Sequence, residues 1–164
     1  MAHGVGHSNP AMRALELRLL PPVIVLIWAI AMGALAWAWP ELTFPLPARL
    51  PLAIGLATLG IGLGGAGIVA FRKAQTTFNP VRPGKASCIV SNGVFAYTRN
   101  PMYLGMLLVL VGWALFLAHP LSLATLPLFV VYMTRFQIIP EERHLQDKFG
   151  EPYACYLQSV RRWL

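Results

Sequence analysis

The chain has 164 residues, 57% of them hydrophobic and only 12% charged, where a soluble domain carries about 25% charged residues. That excludes an ordinary soluble domain and points to an integral membrane protein of one domain. The formal charge of +7 flanks the apolar runs instead of forming one stripe, which argues for anionic lipid headgroups and against nucleic acid as partners.

Residues 1–18 are polar, with His3, His7, Arg13, Glu16 and Arg18. Ala11 to Leu20 reads as a short interfacial helix and the two histidines as solvated tail. The apolar run that follows is long and lacks an Ala-x-Ala exit, so it is expected to stay as an uncleaved first span, about 19–39. Pro21-Pro22 would sit in its first turn, where a missing N–H does no harm. Trp37 and Trp39 mark the far interface.

A second span is expected at about 50–71, rich in glycine. The string from Gly60 to Gly67 matches G-x-G-x-x-G by letter. It lacks the strand and helix start that a dinucleotide site needs, and it lies inside a span. Small residues at Gly60, Gly64 and Gly67 instead suit close approach of another helix, within the chain or in a dimer. Oligomeric state stays open.

Residues 72–100 form the longest polar connection and the most basic one, with Arg72, Lys73, Arg82, Lys85 and Arg99. Residues 76–80 and 82–84 read as turns, and Ile89 to Ser91 as a short extended piece. The third span is expected at about 102–117, His119-Pro120 as a tight turn, and the fourth span at about 121–136. In the tail, Pro140 is expected to start a helix with Glu141 and Glu142 in its first turn, Gly150 to end it, and Pro152 to start another. Arg161, Arg162 and Trp163 read as an interfacial anchor. The fold class is therefore all-α integral membrane, with four transmembrane helices and a cytoplasmic C-terminal helical tail. The two loops on the opposite side hold only Arg49, so both termini and the 72–100 loop are expected in the cytoplasm, with a prokaryotic inner membrane as the setting. Cys88 and Cys155 lack partners at ligand spacing, so neither a disulfide nor a metal site is expected.

Two polar stations bracket the second hairpin. Arg99 to Gly105 opens the third span; Glu141-Glu142, the only adjacent acids, follow the fourth. The hairpin should return them to one bilayer face. A carboxylate there can hold an ammonium group, and N–H groups at a helix start can hold a carboxylate, so the pair would clamp an amino-acid zwitterion. Tyr97, Tyr103 and Phe95 could cover a purine or face a sulfonium.

The stretch Asn-Gly-Val-Phe-Ala-Tyr-Thr-Arg-Asn-Pro-Met-Tyr-Leu-Gly, 92–105, resembles the S/N-G-P-Y-x-Y-x-R-H/N-P-x-Y-x-G segment of the isoprenylcysteine carboxyl methyltransferases, which are grouped with membrane phospholipid methyltransferases. Glu141, Glu142, Leu145, Phe149, Gly150, Tyr153, Tyr156, Val160, Arg162 and Trp163 fall at the spacing of that family's C-terminal signature. The resemblance covers about 76–164; residues 1–75 resemble only generic spans. It implies S-adenosylmethionine as methyl donor, held by 88–105 and 137–164. Val90, Tyr97, Arg99, Asn100, Pro101, Tyr103, Leu104 and Gly105 would form one wall, Glu141 and Glu142 the other. Two positions depart from the pattern: Asn100 stands where His is frequent and cannot be a general base, and Val94 replaces a proline.

The expected reaction is in-line methyl transfer to a lipophilic or prenylated acceptor entering from the lipid side, most readily a carboxylate, with Glu142 and Arg135 as the catalytic candidates. Arg135 either orients an anionic acceptor or snorkels to headgroups. Phospholipids, small amines and thiols are alternative acceptors. A small four-span transporter or a structural membrane subunit is the reading from another class. No Asp or Glu occurs between Glu41 and Glu141, so no span carries the carboxylate that cation transport usually needs.

Overall fold

The structure, a computed structural model, describes residues 16–17, 19–74 and 89–164. The expected turns at 76–84, most of the expected 11–20 helix, and His3, His7, Arg13, Arg18 and Cys88 lie outside the described residues. Within them the protein is all helical, without strands.

Helix α1, Pro21–Ala38, starts on its proline pair as expected. Helix α2, Arg49–Lys73, is longer at both ends than the span anticipated at 50–71. Helix α3, Pro101–Leu117, begins on its proline, and Ala118 in a left-handed conformation ends it. Helix α4, Pro120–Met133, follows after Ala118 and His119. Three stretches have the length and composition to cross a membrane: α1, α2, and the continuous helical run Pro120–Phe149. Helix α3 is a shorter apolar helix whose 17 residues reach about 26 Å, close to a hydrocarbon core.

The fourth span differs most from expectation. It does not stop near Phe136 to let a new helix begin at Pro140. A π-helical turn, Thr134–Ile138, carries it straight into helix α5, Ile139–Phe149. A proline inside a helix removes one N–H and crowds the carbonyl four residues back; widening the preceding turn accommodates that without a break. Gly150 then turns the chain at φ +62°, and helix α6, Glu151–Ser159, returns along α5. Residues Ile89 to Ser91 have no extended pairing, and Gly93–Ala96 form a 3-10 turn with Gly93 at φ +60°.

Helices α2 and α3 pack antiparallel through small residues seven apart. A Cβ on Gly60 would run into the Gly105 carbonyl, one on Gly105 into the Gly60 carbonyl, one on Gly67 would sit 3.0 Å from Met102, and one on Gly112 would sit 2.9 Å from the Ala53 carbonyl. Of the glycines expected to admit a neighbouring helix, Gly60 and Gly67 are covered by the third span, while a Cβ on Gly64 would meet nothing within 4 Å. Helix α1 closes the bundle with polar ties: Ser122 Oγ donates to the Met32 carbonyl at 2.9 Å, Trp28 Nε1 to that of Thr125 at 3.2 Å, and Trp113 Nε1 to that of Ala29 at 3.0 Å. Between these helices lie Ile24, Met32, Tyr103, Leu110, Phe129 and Met133, all buried. At one end His119, expected as a plain turn residue, is wholly buried with Nε2 3.1 Å from the Trp39 carbonyl. The polar stations lie at the other end.

Candidate functional site

The α3–α4 hairpin does return the two stations to one end. Pro101 fixes the first turn of α3, so Arg99 and Asn100 leave the helix as an extended lead-in, while Tyr103 points from its first turn. The helical run beyond α4 projects Glu141 and Glu142 back over that lead-in. Tyr103 donates its hydroxyl to Glu141 Oε2 at 3.0 Å. Arg99 Nη2 lies 3.2 Å from Glu142 Oε1. On the same carboxylate Arg162 makes a two-pronged contact, Nη2 to Oε2 at 2.7 Å and Nε to Oε1 at 3.1 Å. Such fork-on-carboxylate pairing fixes orientation as well as charge.

The end of the chain, after α6, straps this cluster. Asn100 Nδ2 donates to the Arg162 carbonyl at 2.9 Å, the Arg99 N–H to the Arg161 carbonyl at 3.0 Å, and Arg99 Nη1 to the Leu157 carbonyl at 2.9 Å. Tyr156 donates to the Phe95 carbonyl at 2.8 Å, and Trp163 Nε1 to Thr134 Oγ1 at 3.0 Å. Asn100, which cannot act as a base, thus serves as a latch. Arg162, expected only as part of an interfacial anchor, is a clamp on Glu142. Its place in the C-terminal signature was the one sequence sign of that role.

The electrostatics separate the twin acids. Burial pushes the Glu141 carboxyl up to about 7; the Tyr103 hydroxyl works against the rise and the adjacent Glu142 adds to it. The hydrogen bonds to Glu142 hold the Arg162 guanidinium above its ordinary value, against burial. Arg99 Nε is buried without a hydrogen-bond partner among the described residues, a donor left over in the middle of the cluster.

Other sequence-selected residues fall elsewhere. Gly105 lies in the α2 contact, and Pro101 touches the same helix at Gly67. Leu104 is buried in the first turn of α3. Val90 packs with Phe95 and Met102 behind the cluster. Tyr97 is 81% exposed. Arg135 is not beside Glu142: its Nη1 holds Glu16 Oε1 at 2.8 Å, while Arg143 Nη2 holds Glu16 Oε2 at 2.8 Å. Burial opposes ionisation of Glu16, but the two guanidiniums outweigh it and its carboxyl lies below the ordinary value. An apolar groove of about 450 Å³ opens laterally between α1, α2 and α3, lined by residues that include Leu20, Pro21, Gly64, Ile68, Met102 and Met106.

Comparison with known proteins gives this arrangement a family. A family model described as phospholipid methyltransferase matches residues 48–152, which is well over half of the chain and holds α2 through α5. An uncharacterized protein of Haemophilus influenzae is 44% identical over 63 residues, 38% of this chain and all of the other. The protein-S-isoprenylcysteine O-methyltransferase of Schizosaccharomyces pombe is 26% identical over 108 residues, 66% of this chain and 46% of that enzyme. Protein-S-isoprenylcysteine O-methyltransferase B of Arabidopsis thaliana is 32% identical over 96 residues, 57% of this chain and 47% of that enzyme. The chain spans less than half the length of these two enzymes. No solved structure matches it.

Proposed function

The chain belongs to the phospholipid methyltransferase family, and from that membership we propose that it is an S-adenosylmethionine-dependent membrane methyltransferase acting on a lipophilic acceptor that carries a carboxylate. The observation that carries the proposal is the meeting of the stations: Tyr103 on Glu141 and Arg99 on Glu142, at one mouth, under the tail strap. In this reading residues 1–164 form a single multi-pass membrane domain with four crossings, both ends are cytoplasmic, and the setting is a prokaryotic inner membrane.

The residues present fit the donor. Bound there, S-adenosylmethionine supplies an electrophilic methyl group on a sulfonium. Arg99, with a buried Nε left unpartnered among the described residues, has a donor for the amino-acid carboxylate. Glu142 is engaged by two guanidiniums, so Glu141 is the acid that faces the ammonium. A carboxyl poised at about 7 is drawn fully into its charged form when a cation arrives. The Tyr103 hydroxyl holds that carboxylate in one orientation. Arg162 and Asn100 fix the tail over the mouth and exclude water, and alignment with water exclusion is most of what a sulfonium methyl transfer needs.

Two features support a lipophilic acceptor: the lateral apolar groove reaches Met102 beside the mouth, and Arg135 supplies a guanidinium at the same end of the bundle. A phospholipid, amine or thiol acceptor would use the same groove without needing Arg135. The transporter reading lacks an acidic residue in α1 to α4.

Calorimetry of the full chain in a neutral detergent with S-adenosylhomocysteine tests the proposal. Saturable binding, weakened at least about tenfold by Glu141→Ala, is the expected result. Absence of saturable heat in the parent protein overturns it. A labelled methyl donor offered with a lipid extract then identifies the acceptor.

A further inference from the structure

Glu16 sits before α1, 119 residues from Arg135 in sequence, yet both of its carboxylate oxygens are taken by guanidiniums from the distant C-terminal part of the chain. Arg135 comes from the π-helical turn and Arg143 from α5. Eight residues apart on one helical run, they face the same carboxylate while Glu142, between them in sequence, faces Arg99 and Arg162. The run thus presents two separate charged seats. A π turn is frequent where a helix must aim a functional side chain. Arg135 is further held over the Phe136 ring, 5.6 Å from its centroid.

We propose that Arg135 and Arg143 form a carboxylate-binding subsite for the methyl acceptor, and that Glu16 is its built-in stand-in, displaced when the acceptor's head enters. This rests on the methyltransferase reading of the neighbouring mouth. The strap that carries Glu16 has the marks of a replaceable occupant. Leu17 beside it adopts φ +56°, a left-handed conformation that L side chains rarely hold. Among the described residues two further hydrogen bonds tie it to the π-helical turn: the Leu17 N–H to the Phe136 carbonyl at 3.1 Å, and Gln137 Nε2 to the Leu19 carbonyl at 3.1 Å. Gln137 Oε1 stays buried with no partner among the described residues, so the strap does not complete its own seat. The same segment reaches Leu20 and Pro21, which line the apolar groove. A lipophilic carboxylate with its head at the arginine pair and its chain in that groove follows the path the strap marks. Two guanidiniums face this one carboxylate, so the seat keeps a net positive charge with Glu16 in it and attracts an anionic head.

Oleate and oleyl alcohol are the probes, titrated in a neutral detergent against the full chain, Glu16→Gln and Arg143→Gln, with S-adenosylhomocysteine calorimetry on each protein. Removing the stand-in should tighten oleate about tenfold and leave the alcohol unchanged; Arg143→Gln should weaken oleate by a similar factor. Equal oleate affinity in the parent and Glu16→Gln, or an equal gain for the alcohol, overturns the subsite. So does a Glu16→Gln protein that only melts earlier, because a structural pin predicts that alone. Intact S-adenosylhomocysteine binding with no oleate discrimination removes this inference and leaves the methyltransferase reading standing. Discrimination without S-adenosylhomocysteine binding overturns the assignment to a methyl acceptor.

Discussion

Tyr103 and Glu141, 38 residues apart, join the two halves of the mouth by one hydrogen bond of 3.0 Å. The burial that comes with this junction sets a pH dependence at Glu141, which the bond itself moderates. Its carboxyl is raised from an ordinary 4.5 to about 7 in the folded protein, by burial first, with Tyr103 opposing. The folded state therefore holds more protons than the unfolded one between those values. Stability from this group is full below about pH 4.5 and is lost as pH rises through 7. Partial access to solvent limits the loss to on the order of 2 kcal/mol. Melting temperatures in detergent should fall from pH 5 to pH 7.5, and Glu141→Gln should flatten that slope. A slope unchanged in the variant would assign the titration elsewhere.

The Glu142 clamp makes a second prediction. Arg99 and Arg162 share one carboxylate, so Glu142→Ala leaves two cations facing each other. Charge-assisted bonds of this kind contribute about 1.5–3 kcal/mol, less here because the Arg162 side chain is 37% exposed. In a double-mutant cycle Glu142→Ala and Arg162→Ala should be non-additive by about 1 kcal/mol. Limited proteolysis after Gly150 should accelerate in both single variants, since the strap loses the same anchor. Strict additivity would mean that the contact contributes nothing.

What the sequence made legible were features with a period or a fixed local cause. Proline pairs and single prolines marked the starts of α1, α3 and α4, and Gly60, Gly64 and Gly67 marked a face for close helix approach, whose partner, α3 at Gly60 and Gly67, only the structure identifies. Adjacent acids and an Arg-Asn-Pro turn stood out as stations because the chain between them is apolar. Arg162 and Glu16 were not legible in their roles. Each lies among other charges in a polar flank, and its partner is set by how the tail or the first segment lies in space. Pro140 was legible as the start of a helix with Glu141 and Glu142 in its first turn, but not the π turn that joins this helix to the span without a break, because only the packed run decides whether the turn before a proline widens or opens.

The glycine seam supplies a third prediction. At Gly60 the obstacle to a Cβ is the Gly105 backbone, which cannot rotate away, whereas a Cβ on Gly62, two residues on, meets nothing within 4 Å. Overpacking at such a contact costs about 1–3 kcal/mol. Gly60→Ala should lower the melting temperature clearly and Gly62→Ala should be neutral or slightly stabilising through helix propensity. Equal tolerance at both positions would mean that α2 and α3 are not in close contact.

Topology gives the last prediction, because the bundle has two chemically distinct ends. Trp39 meets His119 at one, and Glu16 meets Arg135 at the other, with all 18 residues of α1 between them, about 27 Å. Cys155 is exposed on α6 at the second end, and Trp37 is 86% exposed at the first. With Cys88 replaced by serine, Cys155 should react with a membrane-impermeant maleimide only in inverted vesicles, as the positive-inside rule requires for the arginine-rich end. A Trp37→Cys, Cys155→Ser variant should react only from the opposite side. The shortest crossing is α3, whose 17 residues fall a little under the hydrocarbon thickness and call for local thinning of the bilayer or snorkelling flanks. If α3 and α4 enter and leave on one side without crossing, the ends of the chain still share a face. A thiol at Leu121, exposed at the start of α4, separates the cases: it must label from the Trp37 side for the hairpin to span. Labelling from the Cys155 side would make α3 and α4 a re-entrant hairpin and overturn the four-crossing topology, while leaving the two polar stations on one face.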